Sequence, residues 1–230
     1  MMKVADLPEW YAPHLDDVYR ICGPSASLYV WNTAEGWATL HPGIVARGWT
    51  FRTLIVWEKV GAHPARITAQ KAGAWPDVTE VCGHYHRGTP WHQNPPQLAN
   101  VWPLDSSNTM RHGERLWGDG ASVWPGGVGR AYTSRTPLHP CQKPLQFAER
   151  MIRASTRPGE SVWAPFGGTC REAVAAQRID RQDPAEARRV VTAELDMDGR
   201  DYLGAVCRVL NGEGSRPVDK RQPTLFDGLP

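Results

Sequence analysis

The segment 161–195 reads as a strand, a glycine turn, a helix, a second strand and then an acidic residue, with Phe166-Gly167-Gly168-Thr169-Cys170 as the turn and Glu194 as the acid. Glycines let backbone approach a nucleotide-like ligand, and a carboxylate ending the next strand accepts hydrogen bonds from ribose hydroxyls. The turn lacks the spaced glycines of the dinucleotide fingerprint, which argues against a nicotinamide dinucleotide and favours an uncharged adenosyl group. The same order also suits a tight strand-to-helix turn in any α/β protein. Cys82, His84, His86 and His92 form the compact set of potential metal ligands. Their spacing matches no standard zinc site, so no metal is expected, and DNA-contacting or merely exposed histidines are the preferred reading.

His139-Pro140-Cys141-Gln142-Lys143-Pro144 lies just upstream of the turn. The stretch 138–170, LHPCQKPLQFAERMIRASTRPGESVWAPFGGTC, resembles the His-Pro-x-Gln-Lys-Pro element and adjoining S-adenosyl-L-methionine (AdoMet) motif of prokaryotic and phage DNA amino-methyltransferases. The order is the β-type, with the AdoMet half at the C-terminal end. SLYVWNTAEGW, RGWTFRTLIVWEK and VVTAELD look like that family's strand segments, so the resemblance covers about two-thirds of the chain. It implies an α/β fold: a Rossmann-like AdoMet-dependent methyltransferase mixed sheet with circularly permuted motif order and an irregular target-recognition insertion. The activity it implies is direct methyl transfer to N6 of adenine or N4 of cytosine in a base flipped out of double-stranded DNA.

Carried over residue by residue, the resemblance assigns Phe166, Gly167, Gly168, Thr169 and Cys170 to the AdoMet loop, Glu194 to the ribose, and Gln142 and Lys143 to the element closing over the cofactor. Two positions depart: Ala164 stands where the family commonly has Asp, and Cys170 replaces a frequent glycine. The family's catalytic Asp/Asn/Ser-Pro-Pro-aromatic tetrapeptide belongs upstream of residues like Leu7-Pro8-Glu9-Trp10, and the chain is expected to lack it. Asn94-Pro95-Pro96, followed by Gln97 rather than an aromatic, is the catalytic candidate within the chain. The alternative is a non-catalytic or split DNA-binding subunit, with a second subunit supplying the loop. Pro140-Cys141-Gln142 resembles the nucleophile tripeptide of C5-cytosine methyltransferases, but there the cysteine follows the AdoMet loop, whereas Cys141 precedes it.

In this family the irregular middle supplies target recognition, which makes Arg87, Arg111, Arg115, Arg130 and Arg135 candidate DNA contacts. Gln222-Pro223-Thr224-Leu225-Phe226 resembles the peptide by which bacterial proteins dock on a sliding clamp, with Gln222, Leu225 and Phe226 as its marks. A tail folding back over its own core is the competing reading. The implied setting is the cytoplasm of a bacterial or phage-infected bacterial cell, in restriction-modification.

These residues need a scaffold. Residues 9–22 suit a helix turning Trp10, Leu15, Val18, Tyr19 and Cys22 toward a core; 27–33 suit a strand, 35–47 a helix closed by Gly48, and 49–59 a second strand. Residues 60–138 lose periodicity and gain Gly, Pro, Trp and His, as a loop-rich lobe would. Regularity returns with a helix over 144–155, a strand over 161–165, a helix over 171–178, a strand over 189–195 and a helix over 198–210. The expected divisions are 1–59 for the catalytic half of the sheet, 60–138 for the recognition lobe, 139–212 for the AdoMet half and 213–230 for a mobile tail.

Composition sets the outer limits. The chain has 230 residues, 41% hydrophobic and 22% charged, which excludes fibrous and disordered classes. No apolar run approaches the roughly 18 residues of a membrane helix, and the N-terminus lacks the basic and apolar regions of a secretory signal, so no membrane and no export are expected. The 5 cysteines are scattered without a Cys-x-x-Cys pair. Net charge is only +2, yet residues 47–71 hold Arg47, Arg52, Lys59, Arg66 and Lys71 against Glu58 alone, a local excess that suits phosphate contacts. The 11 Trp separate into Trp10, Trp31, Trp37, Trp49, Trp57 and Trp163, expected in or beside regular elements, and Trp75, Trp91, Trp102, Trp117 and Trp124 in the irregular middle.

Overall fold

Helix α1 (Leu7–Ile21) has Pro8 in its first turn, where a missing N–H costs nothing, and buries Leu15 and Val18. Thr33 caps α2 (Ala34–Ala46), its side chain accepting from the Gly36 amide at 3.1 Å. The computed structural model describes residues 3–60, 79–92, 101–105, 110–111, 114–115, 143, 145–168 and 170–192. It divides into two units, Met1–Asp105 and Ser106–Pro230.

In the first unit, β1 (Ser27–Asn32), β2 (Thr50–Val60), β3 (Thr79–His86) and β4 (Val101–Asp105) form one sheet in the order β1-β3-β2-β4. Strand β3 is antiparallel to both β1 and β2, so those two run parallel to each other, joined by α2; β4 is parallel to β2. The expected elements 27–33, 35–47 and 49–59 are therefore present within a residue or two.

Two strands of this unit, β3 and β4, fall where periodicity predicted none. Val81, Cys82, Gly83, His84 and Tyr85 are all buried, so β3 is covered on both faces and has no polar alternation to reveal it. Both strands belong to the first unit, Met1–Asp105. Gly83 is required by close approach: a Cβ there would lie 2.5 Å from Trp37 Nε1. Trp37 Nε1 instead donates to the Tyr85 hydroxyl at 2.9 Å, and that hydroxyl is hydrogen-bonded with His41 Nδ1 at 3.0 Å. Burial pushes the Tyr85 hydroxyl up to about 12.

The helix stripe is narrower than expected: Trp10 is 39% exposed, its ring 4.8 Å from those of Tyr11 and His14. Trp49 and Trp57 are buried, whereas Trp31, Trp37, Trp91 and Trp163 are half-buried.

The second unit contains a short antiparallel pair, β5 (Met110–Arg111) with β6 (Glu114–Arg115), then α3 (Leu145–Ser155), β7 (Ser161–Ala164), α4 (Arg171–Gln182) and β8 (Arg189–Thr192). β7 and β8 pair in parallel. Leu145, Ala148 and Ile152 of α3 pack with Cys170 and with Val174, Ala175, Ala176 and Ile179 of α4, and Val162 and Val190 of the strands close the core. The four-residue spacings of these residues give each helix one apolar face. Arg188 pins the entry to β8, donating to Thr156 O at 2.9 Å and to Glu186 Oε2 at 2.7 Å. No described helix is long and apolar enough to cross a membrane. The expected helix over 198–210 and the tail lie outside the described residues.

Candidate functional site

The carboxyl end of β7 leads into the turn Pro165-Phe166-Gly167-Gly168, and α4 starts three residues later. Ligands of open α/β sheets bind at such strand ends. Gly168 has φ +52 and Cys170 φ +46, both left-handed, which reverses the chain between strand and helix. The Cys170 amide closes the turn on Gly167 O at 2.6 Å, and Cys170 O accepts from the Ala173 and Val174 amides. The Phe166 side chain stands out of the turn, 43% exposed beside two glycines, a surface on which a planar ring can stack.

The first turn of α4 carries Arg171, buried, and Glu172. Burial lowers the Arg171 guanidinium to about 9, with Glu172 acting against that shift, and burial raises the Glu172 carboxyl against its own backbone hydrogen bond and Arg171. Neither residue was singled out from sequence. Thr192 was also missed. It stands opposite Ala164 in the β7/β8 register, and its hydroxyl donates to Ala164 O at 3.0 Å. A β-branched hydroxyl two residues before Glu194 was the available signal.

Of the expected cofactor residues, Phe166, Gly167, Gly168 and Cys170 are brought into this one turn, and Lys143 is half-buried just ahead of α3. Gln142, Thr169 and Glu194 lie outside the described residues. So do Asn94, Pro95 and Pro96, Arg130 and Arg135, and Gln222, Leu225 and Phe226. Arg111 and Arg115 fall on β5 and β6, where Arg111 pairs with Glu114 and Met110 with Arg115 in the backbone register.

Arg87 Nη1 donates to Tyr19 O at 2.8 Å and Cys22 O at 3.1 Å, and the guanidinium lies 3.9 Å from the centre of the Tyr19 ring. These are the terminal carbonyls of α1, where a cation also meets the negative end of the helix dipole. The structure thus gives Arg87 a capping role at the end of α1.

Of the histidine group, Cys82, His84 and His86 lie on β3 and His92 lies beyond its end. His84, 4% exposed, stacks on Tyr29 with ring centres 4.3 Å apart, and its ring lies 5.6 Å from that of His92. Burial first, then the positive fields of His92, Arg52 and His86, lower His84 to about 4. His86 Nδ1 donates to Gly88 O at 2.8 Å. Among the described residues no three His, Cys, Asp or Glu are arranged to hold a metal ion.

Comparison with known proteins places this arrangement. The Type II methyltransferase M2.DpnII of Streptococcus pneumoniae is 28% identical over 120 residues, 50% of this chain and 42% of that protein. The chain therefore spans less than half the length of this curated relative. Among solved structures, the M1.HpyAVI-SAM complex is similar with a TM-score of 0.62 at 16% identity, covering 88% of this chain and 83% of the other. The PvuII DNA methyltransferase (cytosine-N4-specific) is similar with a TM-score of 0.61 at 16% identity, covering 92% and 79%. Those likenesses bear on the fold, which is that of AdoMet-dependent methyltransferases. The model of the N6/N4 family described as DNA methylase matches residues 3–205, most of the chain and all of the elements that build the turn, and the chain belongs to that family.

Proposed function

We propose that the protein is an AdoMet-dependent DNA methyltransferase that acts on an exocyclic amine, adenine N6 or cytosine N4, by direct transfer to a flipped base. The observation that carries this reading is the strand, glycine turn, helix and strand of 161–192, lying wholly inside the family match of 3–205. The residues fit the cofactor: a left-handed glycine lets backbone approach it, and the exposed Phe166 ring offers its face to an adenine. Glu194 and Gln142 are assigned to it from sequence, for the ribose hydroxyls and for closure over the site.

When bound, AdoMet supplies an electrophilic methyl group on a sulfonium. The protein's part is to hold that group in line with the amine and to exclude water. Ala164 offers no carboxylate to the cofactor's amino group. On the DNA side, Arg87, Arg111, Arg115, Arg130 and Arg135 are the proposed contacts, with Asn94, Pro95 and Pro96 as the catalytic candidate. The proposed divisions of labour are recognition by the middle of the chain and cofactor binding by 139–212, in the cytoplasm of a bacterial or phage-infected cell. Docking of Gln222, Leu225 and Phe226 on a sliding clamp belongs to the same proposal.

Isothermal titration of the purified chain with AdoMet tests the cofactor reading. Saturable one-to-one binding is expected, and no heat of binding with or without DNA overturns it. Phe166→Ala should weaken binding about tenfold or more, the value of one aromatic stack.

A second reading, a non-catalytic or split subunit, is favoured by Ala164 and by Gln97 in place of an aromatic after Pro95-Pro96. Tritiated methyl transfer to unmodified DNA separates the two. Turnover by the 230-residue chain alone defeats the second reading; turnover only with an added polypeptide carrying a Pro-Pro-aromatic loop supports it.

A further inference from the structure

Thr192 has one proton, and it goes to Ala164 O at 3.0 Å. The Cys170 thiol, 3.6 Å from Thr192 Oγ1 and 3.7 Å from Gly168 O, is therefore the donor to one or other of those oxygens. The result is a continuous chain of contacts from the last residue of β7, through β8, to the N-cap of α4 and back into the glycine turn. Cys170 is fully buried and holds φ +46, a conformation that L side chains adopt only where their surroundings impose it. Here the imposition is visible: the amide is tied to Gly167 O, and the sulfur sits between a strand hydroxyl and a turn carbonyl.

We propose that Thr192 and Cys170 act jointly as positioning residues that fix the glycine turn for the adenosyl cofactor, holding from β8 a turn that has no carboxylate at 164 to orient it. This rests on the AdoMet reading above. Neither side chain needs to touch the cofactor; both act through the backbone of 164–168.

The test is AdoMet titration of the full chain and of Thr192→Val, Thr192→Ser, Cys170→Ala and the Val/Ala double variant, with hydrogen exchange followed by mass spectrometry. Thr192→Val and Cys170→Ala should each weaken AdoMet about fivefold, the worth of one net hydrogen bond. Thr192→Ser, which keeps the hydroxyl, should stay within about twofold of the unmodified chain. The double variant should be no worse than Thr192→Val by more than about twofold, because both changes cut one linked chain. Exchange should quicken more in 165–170 than in 145–155, the segment that packs on Cys170. Single losses that multiply, exchange that quickens equally in both segments, or a Thr192→Val variant that binds like the unmodified chain overturns the inference. If Thr192→Val does not fold, Cys170→Ala with its exchange pattern carries the same decision. No AdoMet binding by the unmodified chain overturns the cofactor reading and this inference with it, whereas binding unaffected by the variants overturns the inference alone.

Discussion

Arg87 exchanges solvation for two carbonyls and an aromatic face, and its loss leaves the end of α1 without those partners. Arg87→Met should lower stability by about 2 kcal/mol, read from urea midpoints, because charged hydrogen bonds are the stronger class. Its DNA affinity at fixed salt tests the proposed contact: a loss of affinity supports it, and an unchanged affinity leaves Arg87 as a cap alone. His84 gives a pH signature. The imidazole protonates near 6.5 when unfolded but only at about 4 in the folded chain, because burial and the charges of His92, Arg52 and His86 oppose the cation. Between those values the unfolded chain binds more protons, so stability falls as pH drops, by up to about 1.4 kcal/mol per pH unit. His84→Gln should flatten that slope between pH 6.5 and 4. These roles were not legible in sequence. Arg87 meets Tyr19 and Cys22 across separations of 68 and 65 residues, and a basic residue in an irregular stretch carries no mark of which carbonyl it will find.

Among the elements, those with one apolar face were readable and those buried on both faces were not. α3 was expected because Leu145, Ala148, Met151 and Ile152 repeat at helical spacing, and the structure buries Leu145, Ala148 and Ile152. α2 was expected over 35–47 with Gly48 closing it; Thr33, read as the end of the preceding strand, is its N-cap. β3 escaped because TEVCGHYH alternates nothing, and its glycine reads as a breaker when it is a fitted gap beneath Trp37. Gly83→Ala should cost about 1–3 kcal/mol by overpacking, measured by thermal melting. The glycine turn of 166–170 was legible as a motif, but the residue holding it from outside, Thr192, was not, since parallel register between β7 and β8 is invisible in either strand alone.

For the molecule as a whole, the family follows from the match over 3–205, and the activity can be examined through DNA itself. If Arg111, Arg115, Arg130 and Arg135 meet phosphates, replacing any one with Gln should reduce the slope of log affinity against log salt by about 0.9, whatever the DNA sequence. A residue that reads a base should instead blunt discrimination between sequences, so binding measured at several salt concentrations on two duplexes sorts them.

The position of β3 between β1 and β2 also governs the order in which the first unit can form. On a ribosome, residues 27–60 emerge with both strands and their helix, yet neither strand finds its hydrogen-bonded neighbour until 79–86 follows. Nascent chains stalled with residue 78 just outside the exit tunnel should be digested readily by protease, and chains extended past residue 105 should resist. The sheet is closed late, by a strand that the chain makes third, so premature release would expose two unpaired strand edges to other chains.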